Sequence, residues 1–197
     1  MRVDAPLADS GCPAPAKITV TQIPTGYLAP ERVNLNYAVD GDTAHFYFKS
    51  GEHIVRFLYV NTEESSGAET TAFGTETKKA MDGWLRAAKE IVVAPRQGKT
   101  AGSPDLDPYM RWLALVFLDG ELLQTRIIRE GKSAYYTLYG CAPAPLHDAF
   151  VDAEAEANAN DRGIWQPGHP TDYRKVLADW MGTSRCRPNP FEGPYCK

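Results

Sequence analysis

The chain has 197 residues, 43% of them hydrophobic, with 25 acidic and 21 basic side chains and a formal net charge of -4. This length and apolar content suit one compact domain with appendages. The acidic balance excludes a global basic surface, so any binding of nucleic acid must use a local patch. No apolar run approaches the length of about 20 residues that a membrane-spanning helix needs.

The four cysteines are scattered and form no CxxC pair, which argues against a structural zinc site. Their even number permits two disulfides, and if the protein is exported we expect Cys186 to pair with Cys196 around a short proline-containing loop. The start "MRVDAPLADSGCPAPA" lacks the apolar core of a signal peptide, but a polar, proline-rich start is typical of a mature secreted chain. We therefore predict a location outside the cell or in the cell envelope. We also predict that the protein is a monomer.

Three regions follow one another along the chain. Residues 1–30 are proline-rich with one strand-like segment, "KITVTQI", and are predicted to be an arm that lies over a core. Residues 31–165 show regular strand and helix patterns and are predicted to be the main domain. Residues 166–197 form a C-terminal extension with a short amphipathic segment and the cysteine-flanked "CRPNPFEGPYC".

Five strands are predicted in the main domain. The first three form a meander, because β-rich runs follow one another with the turn "KSGE" between the last two. A fourth and a fifth strand come later, and the turn signal Asp119-Gly120 closes the fifth. In chain order these strands are "RVNLNYAV", "AHFYFK", "HIVRFLYV", "EIVVAP" and "RWLALVFLDGE".

Three helices complete the predicted domain. The first is "TETKKAMDGWLRAAKE", where apolar residues recur with helical spacing and Thr75 is the predicted N-cap. The second, "ELLQTRIIREG", should end at Gly131, and the third is "LHDAFVDAEAEANANDRGIW". Five strands and three helices fit an α+β fold, a five-stranded Greek-key barrel of the OB type, although other α+β folds share this count.

Oxygen-bearing side chains stand at two strand ends of the predicted meander. Asp40 and Asp42 flank Gly41 before the second strand, and "NTEE", residues 61–64, follows the third. Carboxylate, amide and carbonyl oxygens suit Ca²⁺ or Mg²⁺ better than copper or zinc. Two interpretations are open at this point: a cation site, or ordinary Asp-Gly turn chemistry beside a solvated loop.

Two arginines favour the cation site. Arg56 lies within an apolar strand pattern, where a charge is costly without an anionic partner, although an edge-strand arginine that reaches water is the alternative. Arg111 opens the fifth strand, with Tyr109 two residues earlier. Guanidinium groups beside carboxylates and a cation are typical of phosphate binding.

Five segments, in this order, resemble the staphylococcal nuclease (thermonuclease) family over about residues 33–165. They are "VDGDT", "VRFLYVNTEE", "DPYMRWLALVFLDG", "REGKSAYY" and "EAEANANDRGIW". The resemblance implies an OB-fold barrel that binds one Ca²⁺ ion and hydrolyses phosphodiesters of DNA and RNA to 3′-phosphorylated products. It leaves the endonucleolytic and exonucleolytic modes open.

The resemblance also implies a metal site. Asp42, Asn61 and the carbonyl group of Thr62 would hold Ca²⁺, with Asp40 in the supporting shell behind them. The family usually has a second aspartate where Asn61 stands, and a proline where Glu63 stands. An amide ligand brings no charge, so we expect Ca²⁺ to be held more weakly than in that family.

The implied catalytic residues are Arg56, Glu64 and Arg111. Glu64 would orient or deprotonate the attacking water, and the two arginines would hold the phosphate and stabilise charge in the transition state. The tyrosines implied at the nucleotide site are Tyr109 and either Tyr139 or Tyr136. Retention of the three catalytic residues favours a nuclease, whereas Asn61 favours the alternative, a catalytically weak OB-fold module that binds nucleic acid or protein.

Overall fold

The computed structural model describes residues 16–173 and 175–177. Its strands are β1 (Glu31–Ala38), β2 (Thr43–Phe48), β3 (Gly51–Phe57), β4 (Ile91–Pro95), β5 (Trp112–Leu118) and β6 (Glu121–Leu122). Its α-helices are α1 (Ala72–Ala87), α2 (Leu123–Arg129) and α3 (Leu146–Ala159), and short 3-10 helices cover Val20–Gln22 and Gly163–Trp165.

The first five strands close into a barrel. β1, β2 and β3 form an antiparallel meander, β1 also pairs with β4, and β4 pairs with β5. A parallel pairing between β3 and β5 closes the ring, and the two-residue β6 extends from β5. This closed five-stranded barrel with a few helices confirms the predicted α+β fold of the OB type.

Two apolar clusters hold the molecule together. The larger one fills the barrel and includes Phe46, Phe57 and Phe117, each at most 1% exposed. The smaller one joins Trp165, Tyr173 and four other buried side chains, and Phe73 and Val176 pack against it. The second cluster therefore fastens the start of the C-terminal extension onto the domain. Within the described range, none of the helices combines the length and apolarity required to cross a membrane.

Helix α1 begins earlier than the sequence predicts. Its N-cap is Thr71 and not Thr75, since the Thr71 hydroxyl oxygen accepts a hydrogen bond from the Gly74 N–H at 2.8 Å. The second helix, α2, ends as predicted before Gly131. The φ of Gly131 is 64°, the left-handed conformation that often ends helices. Helix α3 ends at Ala159, six residues before the predicted end at residue 165.

Two predicted strands differ from the structure. The strand expected at residues 17–23 is wrong: the segment turns into a short 3-10 helix, in which Gln22 caps the N–H of Thr19 at 2.9 Å. The third strand was expected to reach residue 60 but ends at Phe57, because Tyr59 takes a positive φ of 65° that breaks the extended run. The predicted pairing of Cys186 with Cys196 lies outside the described residues.

Candidate active site

Asp40 and Asp42 have different tasks in the structure. The Asp40 carboxylate accepts a hydrogen bond from the Asp42 N–H at 2.9 Å, which is ordinary turn chemistry. The Asp42 carboxylate instead reaches across to the loop after β3, where Oδ2 accepts from the N–H of Thr62 at 2.8 Å and from its hydroxyl at 3.3 Å. Because Asp42 is only 5% exposed, its carboxylate is a buried connection between the two oxygen-bearing segments.

Arg56 lies beside these oxygens, and both of its terminal nitrogens contact the protein. It pairs across the sheet with Thr43, so its side chain lies at the same barrel end as Asp42. One terminal nitrogen, Nη2, is 2.7 Å from Asn61 Oδ1 and 3.2 Å from Asp42 Oδ2. The other donates to the carbonyl groups of Phe57 and Val60. The guanidinium thus neutralises Asp42 and also fixes the chain end that follows β3.

Arg111 reaches the same place from β5. Its Nε donates to Asp107 Oδ2 at 2.6 Å, and its Nη1 lies 3.4 Å from the Thr43 hydroxyl oxygen. That hydroxyl in turn donates to Asp42 Oδ1 at 3.0 Å. The Arg111 guanidinium also lies 5.3 Å from the centre of the Tyr109 ring. The two arginines therefore meet at one carboxylate, Arg56 directly and Arg111 through Thr43, and Nη2 of Arg111 makes no hydrogen bond with any described residue.

A cavity of about 540 Å³ opens beside the two arginines. Its walls include Arg56, Arg111, Tyr109, Tyr136 and Tyr139, so both alternatives for the second tyrosine line it. Tyr109 and Tyr139 are 78% and 85% exposed, which leaves their ring faces available for stacking. Burial raises the pKa of Tyr136, so that this hydroxyl stays neutral.

Glu64 and Glu63 lie on the loop after Thr62 and point to different surroundings. The Glu64 side chain is exposed and makes no hydrogen bond or ion pair with any described residue. Glu63 neither faces the Asp42 cluster nor is solvated. Its carboxylate is 9% exposed and accepts hydrogen bonds from Thr171 and Tyr173 of the C-terminal extension.

The charges at the site fit a divalent cation. Burial, and next the adjacent Asp42 charge, raise the pKa of Asp40 to about 7. Two neighbouring carboxylates with one guanidinium therefore leave an environment that favours added positive charge. Among the described residues no three His, Cys, Asp or Glu side chains cluster as metal ligands, so carbonyl groups and water must complete any coordination shell. Oxygen ligands of this kind fit Ca²⁺ or Mg²⁺.

Residues 54–167, more than half of the chain, match the family model described as "Staphylococcal nuclease homologue". The chain belongs to the staphylococcal nuclease family. The matched range contains Arg56, Asn61, Thr62, Glu64 and Arg111 and begins after the segment of Asp40 and Asp42. The resemblance seen in the five sequence segments is thereby confirmed.

Curated relatives of the family carry endonuclease names. The chain is 28% identical over 144 residues to the SPbeta prophage-derived endonuclease YokF of Bacillus subtilis (strain 168). The matched region covers 71% of this chain and 46% of the relative. Endonuclease YncB of the same organism is 28% identical over 136 residues, with 68% and 61% covered. An uncharacterized endonuclease of Haemophilus influenzae is 28% identical over 134 residues, with 68% and 65% covered. The chain thus spans about half to two thirds of these relatives.

Three residues at the site were not singled out from the sequence. Thr43 joins Arg111 to Asp42, Asp107 fixes Arg111, and the Ser133 hydroxyl accepts from the Asn61 N–H at 2.8 Å. Only Asp107 had a local signal, since an aspartate four residues before an arginine, at a turn, is placed to pair with it. Ser133 is 72 residues from Asn61, and no local pattern indicates that contact.

Proposed function

We propose that the chain is a Ca²⁺-dependent nuclease that hydrolyses phosphodiester bonds of DNA, and also of RNA, to 3′-phosphorylated products. The observation that supports this most is that Arg56 contacts the buried Asp42 directly, Arg111 reaches it through Thr43, and both arginines line a cavity with exposed tyrosines. Guanidinium groups around a cation-binding carboxylate suit a phosphodiester that passes through a charged transition state. The endonuclease names of the curated relatives agree with this chemistry.

Asp42, Asn61 and the carbonyl of Thr62 are the residues we propose as ligands of one Ca²⁺ ion, with Asp40 supporting them. A bound ion would polarise the phosphoryl oxygens of the substrate. Asn61 Oδ1 and Asp42 Oδ2 both contact Arg56 in the structure. Both oxygens therefore already contact a positively charged group, the guanidinium of Arg56.

The remaining steps are assigned to side chains of the chain itself. Arg111 is held at its Nε by Asp107, so its free edge can form hydrogen bonds to a phosphate without losing that support. Glu64 has an exposed carboxylate with no partner among the described residues, as expected of a group that receives a proton from water. Tyr109 and Tyr139 would stack on a base that enters the cavity.

The direct test is digestion of single-stranded DNA by the pure protein in Ca²⁺ and in excess chelator. We expect cleavage in Ca²⁺ only, with phosphate on the 3′ ends of the products. The isosteric variant Glu64→Gln is the matched control for contaminating nucleases, because it should lose activity by about a hundredfold or more. Undiminished cleavage in chelator would refute the role of the ion, and full activity of Glu64→Gln would refute the assigned site.

The second candidate is a binding module that retains the groove without efficient turnover. Asn61 favours it, since the uncharged amide weakens Ca²⁺ binding. The same protein would then bind single-stranded DNA in a fluorescence anisotropy titration but leave it intact in Ca²⁺. Cleavage with multiple turnovers would rule this candidate out.

We also propose that residues 31–165 form the nuclease domain of an exported monomer, with Cys186 joined to Cys196. Within the described range Cys141 is not a free thiol. Mass analysis of the non-reduced protein after proteolysis should identify the Cys186–Cys196 peptide pair. Four free thiols would contradict both the bridge and export, and a dimer in light scattering would contradict the monomer.

A further inference from the structure

Glu63 is a buried carboxylate that stands between a proposed metal ligand, Thr62, and the proposed catalytic Glu64. One of its oxygens, Oε1, accepts hydrogen bonds from the Thr171 hydroxyl at 2.8 Å and from the Tyr173 hydroxyl at 3.0 Å. These donors are 108 and 110 residues away along the chain. A loop carboxylate is thereby tied to residues 169–173, which we call the C-terminal strap.

The other oxygen of Glu63 is tied to helix α1. It accepts a hydrogen bond from the Thr71 hydroxyl, which itself accepts from the Gly74 N–H at 2.8 Å. The Thr71 N–H donates to the Glu64 carbonyl oxygen at 3.0 Å. A Cβ atom on Gly74 would lie 2.1 Å from that same oxygen, so the first turn of α1 packs directly on the loop backbone.

The strap is a packed part of the domain. Tyr173 is 5% exposed and belongs to the second apolar cluster. Burial, and next the Glu63 charge, raise the pKa of the Tyr173 hydroxyl, so that it remains a proton donor. His169 lies between the rings of Phe73 and Tyr173, with Nε2 3.7 Å from Glu63 Oε1. Oε1 of Glu63 is thus surrounded by polar groups of the strap.

The side chain of Glu64 has no comparable restraint. Because the Glu64 side chain makes no hydrogen bond or ion pair within the described part of the chain, its location depends on the backbone that carries it. Two hydrogen bonds hold that backbone. The Thr62 N–H donates to Asp42, and the Thr71 N–H donates to the carbonyl oxygen of Glu64. Two side chains supply the remaining anchors: the Ser65 hydroxyl donates to the Val39 carbonyl oxygen at 3.4 Å, and Glu63 is bound by α1 on one oxygen and by the strap on the other.

We infer that Glu63 is a positioning residue of the nuclease, and that the C-terminal strap, through Thr171 and Tyr173, holds the loop so that Glu64 faces the attacking water. This inference rests on the proposed function. It assigns the extension beyond the barrel a part in turnover. It also separates two properties: the Asp42 and Asn61 oxygens are held by Arg56, and the Asn61 backbone by Ser133, so Ca²⁺ binding should not depend on the strap.

The test removes both strap donors without changing shape, in the variant Thr171→Val/Tyr173→Phe. We expect kcat for single-stranded DNA to fall by about tenfold or more, while KM and the calorimetric Kd for Ca²⁺ stay the same. Independently of activity, amide hydrogen exchange in residues 63–71 should speed up by about tenfold, with the barrel strands and the amides of Asn61 and Thr62 unaffected.

The matched control is Val176→Ala, which weakens packing of the same extension without touching Glu63. It should lower the melting temperature and leave kcat and the exchange of residues 63–71 as they are. Glu63→Gln should retain most of kcat, because an amide oxygen still accepts from Thr171 and Tyr173, whereas Glu63→Ala should lose it.

The inference is overturned if the double variant keeps wild-type kcat and wild-type exchange, or if Val176→Ala causes the same losses at an equal drop in melting temperature. A wild-type protein that leaves DNA intact would refute the proposed nuclease and not the strap, since the exchange measurement still decides whether Thr171 and Tyr173 hold the loop. Unchanged exchange in the double variant would then overturn the strap alone.

Discussion

Asn61→Asp tests the proposed metal site at the position where an aspartate is expected from the family resemblance. The substitution places a negative charge at an atom that now lies 2.7 Å from Arg56 Nη2 and shares that nitrogen with Asp42. At about 4 Å and an effective dielectric constant of about 20, each pair of unit charges is worth about 4 kcal/mol before desolvation. A divalent ion doubles this attraction.

One contact seen in the structure opposes the gain. In the metal-free variant the new carboxylate would pair with Arg56, which stabilises the state without Ca²⁺, and desolvation of the added charge reduces the gain further. We therefore expect a net gain of about 1–2 kcal/mol, or about five- to thirtyfold in Ca²⁺ affinity.

The assay is calorimetric Ca²⁺ titration of the wild type, Asn61→Asp and Asp42→Asn. Asp42→Asn is the opposite change, because it removes the buried carboxylate charge, and it should weaken binding. Cleavage at low Ca²⁺ should rise with affinity in Asn61→Asp. If neither variant changes the affinity, then Asp42 serves only to hold the loop of Thr62, and the proposed ion binds elsewhere or not at all.

Three further predictions concern the loop, the charged residues and the cavity. Gly74→Ala should cost about 1–3 kcal/mol of unfolding free energy in denaturant titrations, because the added Cβ meets the Glu64 carbonyl, whereas Gly83→Ala, with nothing within 4 Å in the same helix, should gain about 0.5–1 kcal/mol. Equal effects would contradict the close packing. Arg56→Ala should lose activity together with about 3 kcal/mol of stability, since it leaves a buried carboxylate without its partner; stability at the wild-type level would show that this pairing is unimportant. Tyr139→Ala should raise KM with kcat unchanged, because it removes a stacking contact that contributes about 1–3 kcal/mol to binding of the base. An unchanged KM would place the base outside the cavity.

The barrel was predictable because its signals are local and periodic. Alternation of apolar residues located the five barrel strands, and an Asp-Gly turn and a left-handed glycine located the ends of the fifth strand and of α2. The adjacency of Asp42 and Thr62 also follows from local patterns, since both lie at ends of neighbouring strands of one meander. Patterns of this kind do not depend on the rest of the chain.

The errors arose where distant contacts decide between similar local options. Thr71 and Thr75 are both acceptable helix caps by type, and the hydroxyl of Thr71 is selected by its second contact, to Glu63. The sequence left open whether Glu63 faces the ion or water, and the structure shows neither, because its donors come from the far end of the chain. Segment 17–23 has strand-like composition, but the Thr19–Gln22 capping contacts turn it instead.

Arg56 limits what mutagenesis of this site can reveal. A phosphate-binding arginine is commonly pictured with a free guanidinium, but here its terminal nitrogens hold Asn61 and Asp42 on one side and two backbone carbonyl groups on the other. Under the proposed mechanism, loss of turnover in Arg56→Ala would therefore combine lost transition-state stabilisation with disturbance of the proposed ligands and a weakened loop. Arg111 and Glu64 do not hold Asn61 in place. Arg111 is anchored by Asp107, and the Glu64 side chain makes no hydrogen bond or ion pair with any described residue. Their variants are the ones whose kinetics can be converted into contributions to the chemical step.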